Sequence, residues 1–177
     1  SGGLNEEWVY PYTDFFAKNM SKAATSTCEN ITKKFLPKFA WFPKANVTGM
    51  FIVQPNAADV LQEALLTHGP VSVSVGAGDW SDYEHGIFHN NKSNNIAFEI
   101  DHAVQMVGFG FDDDLQQNYW IVRNSWGTTW GENGFIRLYR PAVEPCGTMQ
   151  GQKVCGTSGV LNAPGFPIVS MLKKLNV

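Results

Sequence analysis

The chain has 177 residues, 44% of them hydrophobic and 16% charged, with a formal net charge of −3. This ordinary globular balance gives no indication of intrinsic disorder, and the length suits one domain or somewhat more. The slight negative charge provides no basic field for nucleic acid, and the apolar stretches are too short to span a bilayer.

In chain order, "SGGLNEEWVYPYT" predicts a turn, a short acidic segment and an extended Tyr-Pro-Tyr. The chain starts at Ser1 with no visible signal peptide, which predicts a processed chain or an excerpt. Residues 14–50 have no clean period, and Pro37 and Pro43 interrupt them, so loops with short strands are expected. "NAADVLQEALLTHGP" predicts a helix. Asn56 is expected to cap it, Val60, Leu61, Ala64 and Leu65 to form its apolar face, and Gly69 and Pro70 to end it. "PVSVSVGAG" alternates Val with Ser and predicts a half-buried strand. "GIFHN", "HAVQMVGFGF", "NYWIVRNSWG" and "GFIRLYR" predict four more, with the acidic run at 112–114 as a solvated turn. Consecutive strands from residue 70 onward point to an antiparallel sheet or barrel.

Chemistry-bearing residues are sparse. The three cysteines are an odd count, which in a secreted protein suggests a bond to another chain or a free thiol. Glycosylation sequons stand at Asn19, Asn30, Asn46 and Asn91, a mild excess that favours passage through the secretory route. His85 and His89 lie four apart near Asp82 and Glu84, but Gly86 between them argues against one helix presenting both to a metal. His102 begins an apolar strand, and by itself would be read as an ordinary half-buried side chain. Asn124 ends another strand, and by itself would be a turn residue. On neighbouring strands the two can meet. An asparagine oxygen accepting one ring N–H fixes the imidazole tautomer and leaves the other nitrogen for a nucleophile. Trp126 is placed to cover that bond and exclude water.

"IDHAVQMVGFG", "YWIVRNSWGTTWGENGFIRLYR" and "CGTSGVLNAPGFPIV" resemble the papain-like cysteine proteases, nearest to their cathepsin L branch. "GGLNEEWVYPYT" and "HGPVSVSVGAG" match the same pattern. The likeness covers most of the chain and is weakest at 14–50 and 141–154. It implies an α+β papain-like fold. Residues 1–25 would be the tail of the helical domain, and 26–177 the β-rich domain carrying His102 and Asn124, with a C-terminal return strand. It implies no cofactor and no metal.

The resemblance further implies that His102 is the acid/base and Asn124 its orienting amide, with Trp126 in support. The family's nucleophilic cysteine lies about 130–150 residues before the histidine. Only 101 residues precede His102, and none of Cys28, Cys146 and Cys155 stands in the family's nucleophile pattern. The thiol and the oxyanion glutamine are therefore expected on a light chain or an upstream segment. Cys28 matches the position that bonds that segment in cathepsin L-like members, the alternative being a buried free thiol. Cys155 matches the family's C-terminal Cys-Gly, but its usual partner is missing, so Cys146 is expected to pair with it. By alignment, Ser74, Ile100, Asp101 and Ala103 would line a substrate pocket with Val160 or Leu161 at its floor. Plain core packing is the alternative for all of them.

The function implied is the heavy-chain-like part of a cysteine endopeptidase acting on peptides and proteins. A propeptide or protein inhibitor would be a further partner, and the place of action a lysosome, a vacuole or the cell exterior. The alternative is an inactive pseudoprotease that binds peptides or scaffolds an assembly.

Overall fold

The computed structural model describes residues 45–90 and 98–171. The expectations for residues 1–25, Asn19, Cys28, Asn30 and Asn91 lie outside the described residues. Those described fall into two compact units, 45–50 with 167–171 and 51–166. The first unit holds most of β1 (Ala45–Ile52) and of β9 (Gly165–Met171). There the Thr48 hydroxyl donates to the Ile168 carbonyl at 3.1 Å, and Asn46 is exposed.

The second unit is built on a sheet with one helix against it. Helix α1 (Ala58–His68) buries Leu61, Ala64 and Leu65, with Val60 partly covered beside them. The apolar stripe at helical spacing thus turns inward, and Gly69 ends the helix at φ +86°, a conformation that costs glycine little. Asn56 departs from its expected capping role. It sits at φ +59°, donates through Nδ2 to the Lys153 carbonyl at 3.0 Å, and accepts at Oδ1 from the Cys155 N–H at 2.9 Å. The side chain staples the helix entry to a distant strand, so it cannot also reach the free amides of the first turn.

The sheet follows the period-two pattern. Strand β2 (Val71–Val75) buries its valines and turns its serines outward. It pairs antiparallel with β4 (His102–Asp112), which pairs with β5 (Gln117–Arg123), which pairs with β6 (Phe135–Tyr139). The short β3 (Ile87–Phe88) joins the far edge but runs parallel to β6, unlike the antiparallel expectation. Its two residues arrive by a loop rather than a hairpin turn, so nothing forces the reversed direction. At the other edge Gly165 of β9 lies opposite Ser72. The acidic run forms the expected turn: Asp112 Oδ1 accepts the N–H groups of Asp114 and Leu115.

Strands β7 (Cys146–Met149) and β8 (Gln152–Cys155) form a separate hairpin in which Cys146 and Cys155 face each other and are disulfide-bonded. The chain then turns inward through a 3-10 turn at Thr157–Gly159. This turn anchors the core by polar contacts. Ser158 Oγ accepts the Nε1–H of fully buried Trp80 at 3.0 Å and donates to Asn90 Oδ1 at 3.1 Å.

Two predictions concern stability. Ser158→Ala leaves the Trp80 indole N–H buried without a partner, and is expected to lower unfolding free energy by about 1–3 kcal/mol in denaturant titration. The second concerns Glu144, whose two carboxyl oxygens are buried without hydrogen-bond partners among the described residues. Burial pushes this carboxyl up to about 7, against the opposing pull of Arg140. A raised acid binds its proton more tightly folded than unfolded, so stability is greatest at low pH and falls as pH rises from the ordinary carboxylate range through about 7. After allowance for solvent screening the loss is about 1–2 kcal/mol. Denaturation midpoints at pH 5 and pH 8 should show that fall, and Glu144→Gln should flatten it.

Candidate active site

His102 opens β4 opposite Val75, and Asn124 follows directly on the last residue of β5. Because β4 and β5 run antiparallel, the start of one lies beside the end of the other. A register shift between Met106 and Gly108 adjusts the alignment. The outcome is a contact of 2.9 Å between His102 Nε2 and Asn124 Oδ1.

The identity of the contacting atoms follows from a third group. The Ser125 backbone N–H points at the same Asn124 atom from 2.8 Å. A donor already aimed there requires the amide oxygen, not the amide nitrogen, at that position. Two donors therefore converge on Oδ1, and His102 Nε2 must carry the proton. In the neutral ring, Nδ1 is then the basic atom, free to serve another partner. Asn124 is itself held by its backbone N–H, which donates to the Gly134 carbonyl at 2.9 Å. It is 8% exposed, and its Nδ2 is buried without a partner among the described residues.

Three indoles wall the pair. Trp126 stacks on the imidazole with ring centres 5.3 Å apart. Trp80 meets the same ring edge-on at 6.5 Å. Trp130 lies 5.1 Å from Trp126 and 6.2 Å from Trp80, and its Nε1–H donates to the Trp80 carbonyl at 3.0 Å. Large apolar faces around a hydrogen bond lower the local dielectric and strengthen it. Trp80 escaped the sequence reading: a lone tryptophan in the acidic turn "GDWSD" bears no periodic signal.

The other candidate residues are placed as follows. Ser74, half-buried, lies opposite exposed Ala103 in the β2–β4 ladder. Asp101 is exposed, and its Oδ1 accepts the Ala77 N–H at 2.9 Å. The Ile100 N–H meets Met149 Sδ at 3.3 Å. Val160 and Leu161 are fully buried in the core. The inward 3-10 turn places them there.

Cys146 and Cys155 are bonded to each other, so neither offers a thiolate. His89 Nε2 lies 3.2 Å from Gln117 Oε1, and its ring packs on Tyr139. Among the described residues no cluster of His, Cys, Asp or Glu is arranged to hold a metal ion, and no helix is long and apolar enough to cross a membrane.

The chain as a whole has relatives among known proteins. A sequence model described as papain family cysteine protease matches residues 1–156. Cathepsin L2 of Homo sapiens is 33% identical over 151 residues, covering 83% of this chain and 40% of that protein. Cathepsin L1 of Drosophila melanogaster is 42% identical over 175 residues, covering 96% of this chain and 38% of that protein. Among solved structures, the bromelain protease from Ananas comosus in complex with the E64 inhibitor superposes with a TM-score of 0.64 at 28% identity, covering 93% of this chain and 62% of that one. The chain thus spans two fifths or less of the length of these two cathepsins. It belongs to the papain family of cysteine proteases, on the cathepsin L-like branch.

Proposed function

We propose that this chain is the histidine-bearing part of a cysteine endopeptidase, with His102 as acid/base, Asn124 as its orienting amide and Trp126 as the cover over their bond. The observation that supports it best is the 2.9 Å contact of His102 Nε2 with an amide oxygen whose orientation Ser125 N–H dictates. That contact leaves Nδ1 to take a proton from a thiol.

The nucleophilic cysteine and the oxyanion glutamine come from an upstream segment or a separate light chain, to which Cys28 is a candidate disulfide link. With the thiol at hand, proton transfer to Nδ1 gives a thiolate–imidazolium pair. The Asn124 oxygen stabilises the cation because it accepts Nε2–H throughout. The thiolate sulfur adds to the peptide carbonyl carbon. As the tetrahedral species collapses, the C–N bond breaks and the imidazolium gives its proton to the leaving nitrogen. Water then loses a proton to the same Nδ1, its oxygen attacks the thioester, and the carbon–sulfur bond breaks. Ser74, Ile100, Asp101 and Ala103 form one wall for the substrate. The excess of glycosylation sequons supports a place of action in a lysosome, a vacuole or the cell exterior.

The test is peptide hydrolysis by the full-length protein with its cysteine-bearing part. His102→Ala is expected to reduce kcat at least about 1000-fold. Asn124→Ala leaves the imidazole free to rotate, and is expected to reduce kcat about 10- to 100-fold with a small change in KM. A native protein that lacks activity and carries no cysteine at the nucleophile position would instead be a peptide-binding pseudoprotease. Intact mass with and without reductant tests a Cys28 link to a separate light chain: a drop to two species supports it, and an unchanged mass rules out a separate disulfide-linked chain.

A further inference from the structure

The segment from Gly127 to Gly134 carries Trp130 at its tip and supplies the carbonyl that holds Asn124. Its conformation therefore decides two contacts of the site. Within it, Gly131 at φ +55° and Gly134 at φ +90° adopt backbone angles that side-chain-bearing residues rarely take. A Cβ on Gly131 would lie 2.6 Å from the Phe135 carbonyl oxygen, so the turn is also closely packed. Such a segment needs an external hold.

Glu132 supplies one. Its Oε1 accepts the Gly86 backbone N–H at 2.8 Å, and the two carboxylate oxygens receive the fork of Arg137 through Nε at 3.1 and 2.9 Å and Nη2 at 2.8 Å. Arg137 stands on β6, and its guanidinium lies over the Tyr119 ring of β5. The Arg137 backbone N–H meets the Tyr83 hydroxyl, which donates to the Gly86 carbonyl at 2.6 Å. One carboxylate thus joins the turn around Trp130, the strand after it, and the loop leading from Trp80. Planar two-oxygen pairing with arginine is geometrically selective, so it sets position as well as attraction.

The connection to the catalytic pair is short. Glu132 N–H donates to the Phe135 carbonyl and Phe135 N–H to the Glu132 carbonyl, closing the turn. Gly134 N–H then donates to the Trp130 carbonyl at 2.8 Å, and Gly134 accepts from Asn124 N–H at 2.9 Å. We propose that Glu132 is a positioning residue for the His102–Asn124 pair, acting through the 127–134 turn on the Asn124 backbone and on Trp130. It touches no reacting atom. Burial raises its carboxyl, but the hydrogen bonds from Arg137 and Gly86 outweigh this and hold it below the usual range. The hold accordingly persists in acidic surroundings.

The proposal rests on the endopeptidase reading for its kinetic readout only. The experiment compares Glu132→Gln, Glu132→Ala and Asp112→Asn with the unsubstituted full-length protein, each confirmed folded by circular dichroism. Glu132→Gln keeps the shape and one acceptor, so it is the variant least prone to misfold. Asp112→Asn also touches Arg137, at 3.4 Å, but not the turn. Two quantities are read: solvent exchange of the His102 Nε2–H proton by NMR, and kcat against KM for a peptide. Both Glu132 variants should speed the exchange at least about tenfold and reduce kcat about tenfold, with KM within about twofold. Asp112→Asn should leave both near the starting values. Unchanged exchange in a folded Glu132→Gln protein overturns the proposal, whatever happens to kcat. Equal effects in Asp112→Asn also overturn it, because the effect would then belong to Arg137 in general. An unsubstituted protein without peptidase activity sinks the endopeptidase reading alone, since the proton exchange still tests Glu132.

Discussion

The antiparallel pairing of β4 with β5 is the constraint on which the site depends. It lays the first residue of one strand beside the residue after the other, and so joins His102 to Asn124 across 22 positions of chain. The amide oxygen receives two N–H donors, one from the imidazole and one from Ser125. Because the backbone donor is permanent, the amide cannot turn over without burying two donors against each other. The strand pairing thereby fixes a protonation pattern on the ring as well as a distance.

Around this bond the protein places aromatic bulk. Trp126 stacks on the imidazole, Trp80 presents its edge, and Trp130 supports both. Each indole needs somewhere to direct its N–H when buried. Trp80 finds Ser158, and Trp130 finds the Trp80 carbonyl. The aromatic wall is therefore also part of a hydrogen-bonded chain running from the 3-10 turn to the His102–Asn124 pair. Ser158 at one end and the Glu132–Arg137 pair at the other anchor it to the sheet.

Electrostatics are divided by location. Glu132 is held ionised by a guanidinium fork and a backbone N–H. Glu144, near the disulfide hairpin, has burial and no partner among the described residues, so its carboxyl favours the proton. The same side chain thus has opposite preferences in two places because hydrogen-bond donors outweigh desolvation at one and are missing at the other. Both arrangements tolerate acid: one ion pair survives it, and one carboxyl is relieved by it.

Periodicity and residue type by themselves determined the helix with its apolar face, the strands between residues 71 and 139, and the turn at the acidic run 112–114. These are local properties, set by backbone geometry and by which side of an element is apolar. The histidine and asparagine were legible from their motif, and the Cys146–Cys155 bond from the place of Cys155 in it. Tertiary structure alone decided the rest. Asn56 forgoes the helix cap for the β8 backbone, β3 joins β6 in parallel, Val160 turns into the core, and Trp80 reaches the imidazole. Glu132 finds its guanidinium within a short segment, but its Gly86 contact spans 46 positions. Each of these depends on which surfaces meet when the chain closes on itself, and a pattern confined to neighbouring residues carries no record of that meeting.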